Sequence, residues 1–214
     1  MTPVLTLLFR HFETLDDRAR RHTPSHLNPE ILPLSIDEKS KLQSEFLEFA
    51  RSHELTRVFA SDTNRGRHAV EILLGDNQEG FQVRYDRRLR NMNQPAFEDL
   101  DFEDVVKTQA YKIWHTKPEL AEFGGGETLS DVSKRVSSFL EEHGHKSSLI
   151  VSHTTPLQVL LCTLLGIPSR FLWAYKFDFK SFTVVTEKIL LRLNSENISD
   201  VTIEGLHQID WRRP

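Results

Sequence analysis

The sequence has almost no cysteine. Cys162 is the only one in 214 residues, so no disulfide can form within the chain. It stands in an apolar helical run, where a buried thiol of the hydrophobic core is the expected role. A chain that does not depend on disulfides fits a reducing compartment. We therefore predict a cytoplasmic location.

An excess of basic residues and a long apolar run are missing as well. The 27 lysine and arginine residues face 31 aspartate and glutamate residues, a formal charge of −4, which argues against a general nucleic-acid binder. The opening MTPVLTLLF is too short for a membrane span, is interrupted by Arg10 and His11, and lacks the basic start of a signal peptide. Neither nucleic acid nor membrane is a predicted partner, and the length predicts one domain over residues 1–214.

Short apolar runs alternate along the chain with helical stripes. Strands are predicted at Val4–Leu8, Arg57–Ala60 and Ser148–Val151, followed by a hairpin of Phe182–Val185 and Ile189–Leu193. Helices are predicted at Asp37–Ser52, Asn64–Leu74, from Leu129 to Leu140, and at Pro156–Leu165, with a short one near Phe102–Trp114 in the long polar middle. Thr14–Pro33 is expected to be a loop. This alternation predicts an α/β fold, a three-layer sandwich with a mostly parallel central sheet.

Polar residues collect where three of the predicted strands end. The first strand is followed by Arg10 and His11, the second by Ser61–Arg65, and the third by Ser152–Thr155. Because ligands of open α/β sheets bind beyond the carboxyl ends of the strands, these ends are expected to converge. Two guanidinium groups match phosphate oxygens, and an imidazole can attack as a nucleophile. The pattern predicts a pocket for a dianion with a nitrogen nucleophile.

Other histidines and basic residues carry weaker signals. His143 and His145 could form a metal pair, but they have no companion ligand at a suitable spacing, so a solvated turn is expected and no metal is predicted. Four further histidines are given no role: His22, His26, His53 and His115. Arg87, Arg88 and Arg90 suggest an anionic or multiply phosphorylated substrate. Trp114 and Phe123 suggest that the substrate has a ring that could stack on them. The phosphate-loop, dinucleotide and nucleophile-elbow motifs are absent from the sequence.

Four segments of the chain resemble a known family. FRHFET is similar to the Arg-His-Gly-Glu/Gln-Thr motif of the histidine phosphatase superfamily, the phosphoglycerate-mutase-like enzymes. SDTNRGRHAVEIL, GGGETLSDVSKRV and LIVSHTTPL resemble three further motifs of that family, in family order and spacing. The likeness runs from about Val4 to Val185 and implies the phosphoglycerate-mutase-like fold.

The resemblance implies a role for each matching residue. His11 would attack phosphorus and carry a transient phosphohistidine, while Arg10, Arg65 and His153 would stabilise the charge on the transferred group. Thr154, Glu127 and Asn91 complete the implied set of substrate-binding residues. Water would then hydrolyse the intermediate. Neither a metal nor an organic cofactor is implied.

Three positions depart from the family pattern. Phe12 replaces a glycine, so its ring either points into the core or narrows the pocket. Asp17 falls near a phosphate-contacting asparagine, and its charge would repel phosphate if it faced the site. Asn91 replaces the glutamate that serves as general acid, a group worth about 10²–10⁴-fold in rate. Four carboxylates could substitute for it: Glu13, Glu98, Asp99 and, by preference, Glu127. A favourable acidic residue near a helix start is the competing interpretation of Glu127.

Two classes of function are compatible with these observations. One is a phosphatase acting on a phosphorylated small molecule. The other is a degenerate relative that binds a phosphorylated ligand or a protein partner without turnover. A phosphomutase is less favoured, because it must protect the phosphohistidine from water and needs a good acid. The oligomeric state is not predicted.

Overall fold

The computed structural model describes residues 4–21, 29–98, 100–186 and 190–194 of the chain. The six strands are Thr6–Arg10 (β1), Arg57–Ala60 (β2), Gln82–Tyr85 (β3), Ser148–Ser152 (β4), Ser181–Val185 (β5) and Leu190–Asn194 (β6). The α-helices are Leu15–Ala19 (α1), Ile36–Ser52 (α2), Asn64–Leu74 (α3), Phe102–Val105 (α4), Gln109–Thr116 (α5), Leu129–His143 (α6) and Thr154–Leu165 (α7). Within these described segments, no helix is both long and apolar enough to cross a bilayer.

The strands form one sheet in the order β3-β2-β4-β1-β5-β6. β1 pairs in parallel with β4, and β2 pairs in parallel with both β4 and β3. β5 runs antiparallel to β1, and β6 antiparallel to β5. The mostly parallel sheet predicted from the sequence is therefore confirmed. Since Arg10 lies opposite Ser152 and Ala60 opposite Val151, the carboxyl ends of β1, β4 and β2 meet at one edge.

A hydrophobic core lies on each face of the sheet, which gives the three layers. On one face, α2 and α3 bury Phe46 and Leu73 against strand residues such as Leu7 and Val58. On the other, α6 and α7 bury Val136 and Leu160 against strand residues such as Leu8 and Ile150. Successive residues of one strand thus enter opposite cores, as the period of two in a strand requires.

Hydroxyl side chains cap five of the seven α-helices in the described residues. Ser35 with Glu38 and Thr128 with Asp131 form capping boxes at α2 and α6. In each box the hydroxyl accepts from the third backbone N–H of the helix and the carboxylate accepts from the cap residue. α7 ends at Gly166, which adopts the left-handed conformation (φ 65°) expected from the sequence.

Several boundaries differ from the sequence-based prediction. β1 ends at Arg10, two residues beyond the predicted Val4–Leu8. The predicted loop Thr14–Pro33 contains the short helix α1, and the middle of the chain contains two helices rather than one. β3 was not predicted, because it is an edge strand of four residues in which only Val83 is partly buried, and such a pattern is too short to indicate a strand. Parts of the predictions on the hairpin turn, His22, His26 and Asp99 lie outside the described residues.

Candidate active site

His11 and His153 lie side by side beyond the ends of two neighbouring parallel strands. His11 follows β1 and His153 follows β4, and the backbone N–H of His11 donates to the Ser152 carbonyl (3.0 Å). The ring centroids are 4.9 Å apart, and the residues are 5% and 1% exposed. The register of β1 on β4 thus places two imidazoles in one buried site.

The His11 ring is held in one tautomer. Its Nδ1 is 2.7 Å from the Phe12 carbonyl oxygen, which can only accept, so Nδ1 carries the hydrogen and Nε2 keeps its lone pair. Burial lowers the pKa of His11, and the charges of Arg65 and Arg10 lower it further. A neutral imidazole with a nucleophilic Nε2 is therefore present at neutral pH.

The His153 ring is anchored to the loop after β2. Its Nε2 lies 3.1 Å from Ser61 Oγ and 3.5 Å from Thr63 Oγ1, and these hydroxyls are 3.2 Å apart. Its Nδ1 is buried and has no hydrogen-bond partner among the described residues. Burial, His11 and the nearby arginines hold the pKa of His153 well below its usual value. This second imidazole is also neutral and can exchange hydrogen bonds with a ligand.

Arg65 brings a buried positive charge to the site from the first turn of α3. Thr63 caps this helix by accepting from the Gly66 N–H, and a Cβ at Gly66 would lie 2.2 Å from the Ser61 carbonyl oxygen. The absence of a side chain there lets α3 begin against the end of β2. Arg65 is 3% exposed, and its Nε and Nη2 have no partner in the described part of the chain. Burial lowers its pKa, since a buried charge is costly. An anion would satisfy these donors.

Arg10 is the second guanidinium of the site, and it is only partly available. Its Nη2 lies 3.0 Å from Asp17 Oδ1, its Nη1 donates to the Phe177 carbonyl (3.3 Å), and its carbon Cζ is 3.8 Å from the centre of the Phe179 ring. The buried Nε makes no hydrogen bond to any described residue. Burial lowers the pKa of Arg10, and Asp17 opposes this effect.

Asp17 does face the site, one of the two outcomes that the sequence left open. Its Oδ2 accepts from the Thr14 N–H (3.0 Å) and the Thr14 hydroxyl (2.7 Å), completing a capping box at α1. Its Oδ1 is the oxygen that meets Arg10. The carboxylate is therefore held in place by the helix start and directed at a guanidinium of the anion site.

Phe12 points into the hydrophobic core and does not narrow the pocket. It is 1% exposed and packs edge-to-face on Phe9, with ring centroids 5.4 Å apart. Its φ is not in the positive range, where a glycine would be required. The loss of glycine at this position is thus accommodated.

Asn91 and Glu127 meet at Arg135, a residue that sequence reasoning missed. The Glu127 carboxylate accepts from Arg135 Nε (2.7 Å) and Nη2 (3.2 Å) and from the Asn93 N–H (2.9 Å). Arg135 Nη2 also donates to the Asn91 carbonyl (3.3 Å). The Asn91 side-chain oxygen is buried without a partner in the described residues. Glu127 is thereby engaged in holding the Asn91 segment, which argues against the preferred choice of Glu127 as a substitute acid.

The structure also shows where four other residues named in the sequence analysis lie. Thr154 starts α7 directly after His153 and is half-buried. Trp114 and Phe123 are buried in the core against each other, so the suggestion that a substrate stacks on them is wrong. The expectation of a solvated turn is also wrong for His143, which is buried and stacks on Phe59.

Two of the three arginines between residues 87 and 90 form ion pairs with acidic side chains. Arg88 pairs with Asp86 and Glu142, and Arg90 pairs with Asp62, while Arg87 is exposed. These ion pairs weaken the suggestion of a multiply anionic substrate. Burial raises the pKa of Cys162 to about 11, as expected for a core thiol. Across the described ranges, no group of three or more candidate ligands could hold a metal ion.

Comparisons with known proteins identify relatives of the chain and structures with a similar fold. The model of the histidine phosphatase superfamily (branch 1) matches residues 6–188. Phosphoserine phosphatase 1 of Hydrogenobacter thermophilus is 30% identical over 192 residues, covering 81% of this chain and 89% of that protein. The adenosylcobalamin/alpha-ribazole phosphatase of Escherichia coli K12 is 26% identical over 80% of this chain and 84% of its own length. A mycobacterial glucosyl-3-phosphoglycerate phosphatase, solved with VO3, has a similar fold: TM-score 0.68, 21% identity, 85% and 92% of the two chains.

Proposed function

The chain belongs to the histidine phosphatase superfamily, and from that membership we propose that it hydrolyses a phosphomonoester through a phosphohistidine on His11. The catalytic residues in this proposal are His11, Arg10, Arg65 and His153. The substrate is a phosphorylated small molecule, and neither a metal nor an organic cofactor has a role.

One observation carries the proposal. A neutral imidazole with a free Nε2 lies beside a buried guanidinium whose Nε and Nη2 are unsatisfied among the described residues. Buried polar groups without partners are rare, because each costs about 1–3 kcal/mol and more when charged. A phosphoryl group would satisfy Arg65 and would present phosphorus to His11. We therefore infer that the nucleophile His11 and the anion-binding Arg65 act on the same phosphoryl group.

The groups of the site suit phosphoryl transfer. His11 Nε2 attacks phosphorus, while Nδ1–H stays bound to the Phe12 carbonyl and stabilises the positive charge that develops on the ring. Arg65, the free Nε of Arg10 and the His153 ring surround the phosphoryl oxygens, where preorganised donors lower the barrier most. Water then attacks the phosphohistidine and releases phosphate.

A second function is supported by Asn91. An amide cannot deliver a proton to the leaving oxygen, and Glu127 is occupied by Arg135 and Asn93. The alternative is a protein that binds a phosphorylated ligand or partner without turnover. A mutase is disfavoured by the same missing acid. The cytoplasmic location and the single-domain organisation stay predictions.

Turnover distinguishes the two functions. The substrate panel contains phosphoserine, alpha-ribazole phosphate and glucosyl-3-phosphoglycerate, after the names of the relatives, together with an aryl phosphate. We expect phosphate release by wild type, acid-labile protein-bound phosphate on rapid quenching, and loss of both in His11→Ala. His53→Ala, which changes an exposed histidine at the end of α2, serves as the matched control.

Calorimetry with vanadate tests the anion site apart from turnover. Wild type is expected to bind vanadate and His11→Ala to bind it much more weakly. Binding without hydrolysis of any substrate would favour the non-catalytic function. Absence of both would contradict the anion pocket itself.

A further inference from the structure

Asp17 places a negative charge inside the anion site. Its Oδ1 is 3.0 Å from Arg10 Nη2, with both side chains largely buried, and the Thr14 box fixes its other oxygen. The carboxylate also acts electrostatically on His11 and Arg65. One acidic group therefore influences three of the four residues expected to bind the phosphoryl group.

The site consequently has a smaller positive charge than its arginines suggest. Arg10 and Arg65 contribute +2, both imidazoles are neutral because burial lowers their pKa, and Asp17 contributes −1. The remaining acidic neighbours do not raise this sum: Glu13 and Asp178 act on Arg10, and Asp16 acts on Arg65. Arg135 acts on His153 but is paired with Glu127. A net charge near +1 complements a monoanion better than a dianion.

The leaving oxygen needs a proton that neither Asn91 nor the preferred substitute Glu127 provides. Asn91 is an amide, and both oxygens of Glu127 accept bonds from Arg135 or Asn93. A phosphomonoester monoanion carries one proton on its phosphoryl group. A monoanionic substrate would therefore match the net charge of the site and would also supply the proton that the leaving oxygen needs.

We propose that the enzyme takes its substrate as the phosphomonoester monoanion, that Asp17 selects this form, and that the phosphoryl proton passes to the leaving oxygen as His11 attacks. The inference rests on the phosphatase function proposed above and names the ionic form of its substrate. Asp17 is a specificity-determining residue in this account, since its negative charge repels the dianion more strongly than the monoanion.

The step balances in atoms and charge. The Nε2–P bond forms and the P–O bond to the alcohol breaks. The proton leaves the phosphoryl oxygen and joins the alcohol oxygen, so a neutral alcohol departs. The products are this alcohol and a dianionic phosphoryl group on a positively charged imidazole, and the total charge of −1 equals that of the substrate. Nδ1–H remains bonded to the Phe12 carbonyl.

The first test measures charge preference without turnover. Perrhenate and sulfate are tetrahedral oxyanions that stay singly and doubly charged across neutral pH. In Asp17→Asn we expect sulfate to bind about tenfold more tightly than in wild type and perrhenate only about threefold more tightly, because the removed charge changes the binding free energy in proportion to the charge of the ligand. Equal changes for both anions, or none, would overturn the selection by Asp17.

A matched variant separates charge selection from helix capping. Asp131 occupies the same place in the Thr128 capping box of α6, where it accepts from Thr128 N (3.0 Å) and Thr128 Oγ1 (2.6 Å) without facing an arginine of the site. Asp131→Asn should leave the ratio of sulfate to perrhenate affinity at its wild-type value. If Asp131→Asn changes that ratio as much as Asp17→Asn does, charge selection is overturned.

The second test uses wild type alone and therefore does not depend on the folding of a variant. The second pKa of a phosphomonoester is about 6, so kcat/KM for an alkyl phosphate should fall about tenfold per pH unit above it. The descending limb should move with the pKa of the substrate when a fluorinated, more acidic ester is compared. A limb that stays in place, or a profile that is flat or rising from pH 6 to 8, would overturn the proposal.

The two tests also separate this inference from the phosphatase proposal. Hydrolysis with a phosphohistidine but without the substrate-dependent limb would refute the inference and leave the phosphatase function standing. No hydrolysis at any pH would refute the phosphatase function together with the proton transfer. The perrhenate and sulfate comparison would then decide charge selection by itself.

Discussion

The guanidinium of Arg135 and the carboxylate of Glu127 form a two-bond ion pair beneath the segment that carries Asn91. The distances are 2.7 and 3.2 Å, and the same guanidinium donates to the backbone carbonyls of Arg88 and Asn91. Glu127 in turn accepts from the Asn93 N–H. The pair therefore fixes this segment to α6 through the backbone as well as through charge.

Arg135→Gln should loosen the segment that carries Asn91. Two backbone carbonyls and the Glu127 carboxylate would lose their donor, which we expect to lower the free energy of unfolding by about 1–3 kcal/mol. If the segment also positions Asn91 at the substrate, kcat should fall more than KM rises. Urea denaturation and steady-state kinetics measure the two effects.

The neighbouring Lys134 provides the control for Arg135. It is exposed on the same helix and its nearest acidic contact, Asp131, is 3.9 Å away. Lys134→Gln should change stability by less than about 0.5 kcal/mol and leave the kinetics unaltered. Wild-type stability in Arg135→Gln would show that its hydrogen bonds do not hold the segment.

Ser61→Ala should release the His153 ring from its nearest hydroxyl. Thr63 Oγ1 would remain at 3.5 Å, a weak contact, so the ring would lose most of its orientation. We expect kcat/KM to fall on the order of tenfold, as for a donor that positions a group in the transition state, with little loss of the α3 cap. The same loss in Ser44→Ala, which removes an exposed hydroxyl on α2, would contradict a specific effect on His153.

The two buried imidazoles should make the protein less stable in acid. Their pKa values are lowered in the folded state, chiefly by burial, so the unfolded chain binds protons that the folded chain does not. Stability is then present above the unfolded pKa of about 6.5 and is lost as the pH falls below it. Between pH 7 and 5, His11, whose pKa is lowered to about 3, should reduce the free energy of unfolding by about 2 kcal/mol, and His153 should act in the same direction.

A histidine substitution isolates this effect. His11→Asn keeps a donor for the Phe12 carbonyl but removes one titrating group, so its stability should fall by about 2 kcal/mol less than that of wild type between pH 7 and 5. His53→Asn, at an exposed position, should follow the wild-type curve. Urea denaturation in phosphate-free buffer measures these differences. A His11→Asn curve parallel to wild type would mean that His11 is not buried as a neutral group.

The sequence was most informative where local chemistry sets the structure. β2 and α3 have the bounds that it predicts, because an apolar run, the Thr63 cap and Gly75 mark their ends. The edge strand β3 was not predicted, because only one of its four residues, Val83, is partly buried and the pattern is too short to recognise. The predicted mostly parallel sheet followed from the alternation of strands and helices, and the family from four motifs in order.

In the candidate site, too, some contacts could be predicted from the sequence and others could not. The meeting of His11 with His153 could be expected from the ends of parallel strands. The Asp17–Arg10 pair could not, since it depends on the path of the chain after β1, and neither could the position of Phe179 over Arg10. Arg135 lies on the polar face of α6, and in the sequence it cannot be distinguished from an ordinary solvent-exposed arginine. Long-range polar contacts such as these leave no periodic signal in a sequence.

Asn91→Glu tests the missing acid directly. An aryl phosphate leaves as a weakly basic phenolate, whereas an alkyl phosphate leaves as a strongly basic alkoxide that needs a proton. At pH 8, where the phosphoryl group has lost its own proton, wild type should therefore hydrolyse aryl phosphates far faster than alkyl phosphates. A glutamic acid that reaches the leaving oxygen should narrow this gap, on the order of 10²-fold when its geometry is right.

The pH dependence of the gap separates the two sources of a proton. Below pH 6 the substrate monoanion supplies its own proton to the leaving oxygen. The rates of wild type with aryl and alkyl phosphates should therefore approach one another, and Asn91→Glu should increase the alkyl rate only slightly. Asn91→Asp, whose shorter side chain keeps the charge but not the reach, is the matched control and should gain less at pH 8. If wild type treats both ester classes alike at pH 8, another side chain donates the proton. Glu98→Gln is then the next substitution, because Glu127 already accepts three hydrogen bonds from Arg135 and Asn93.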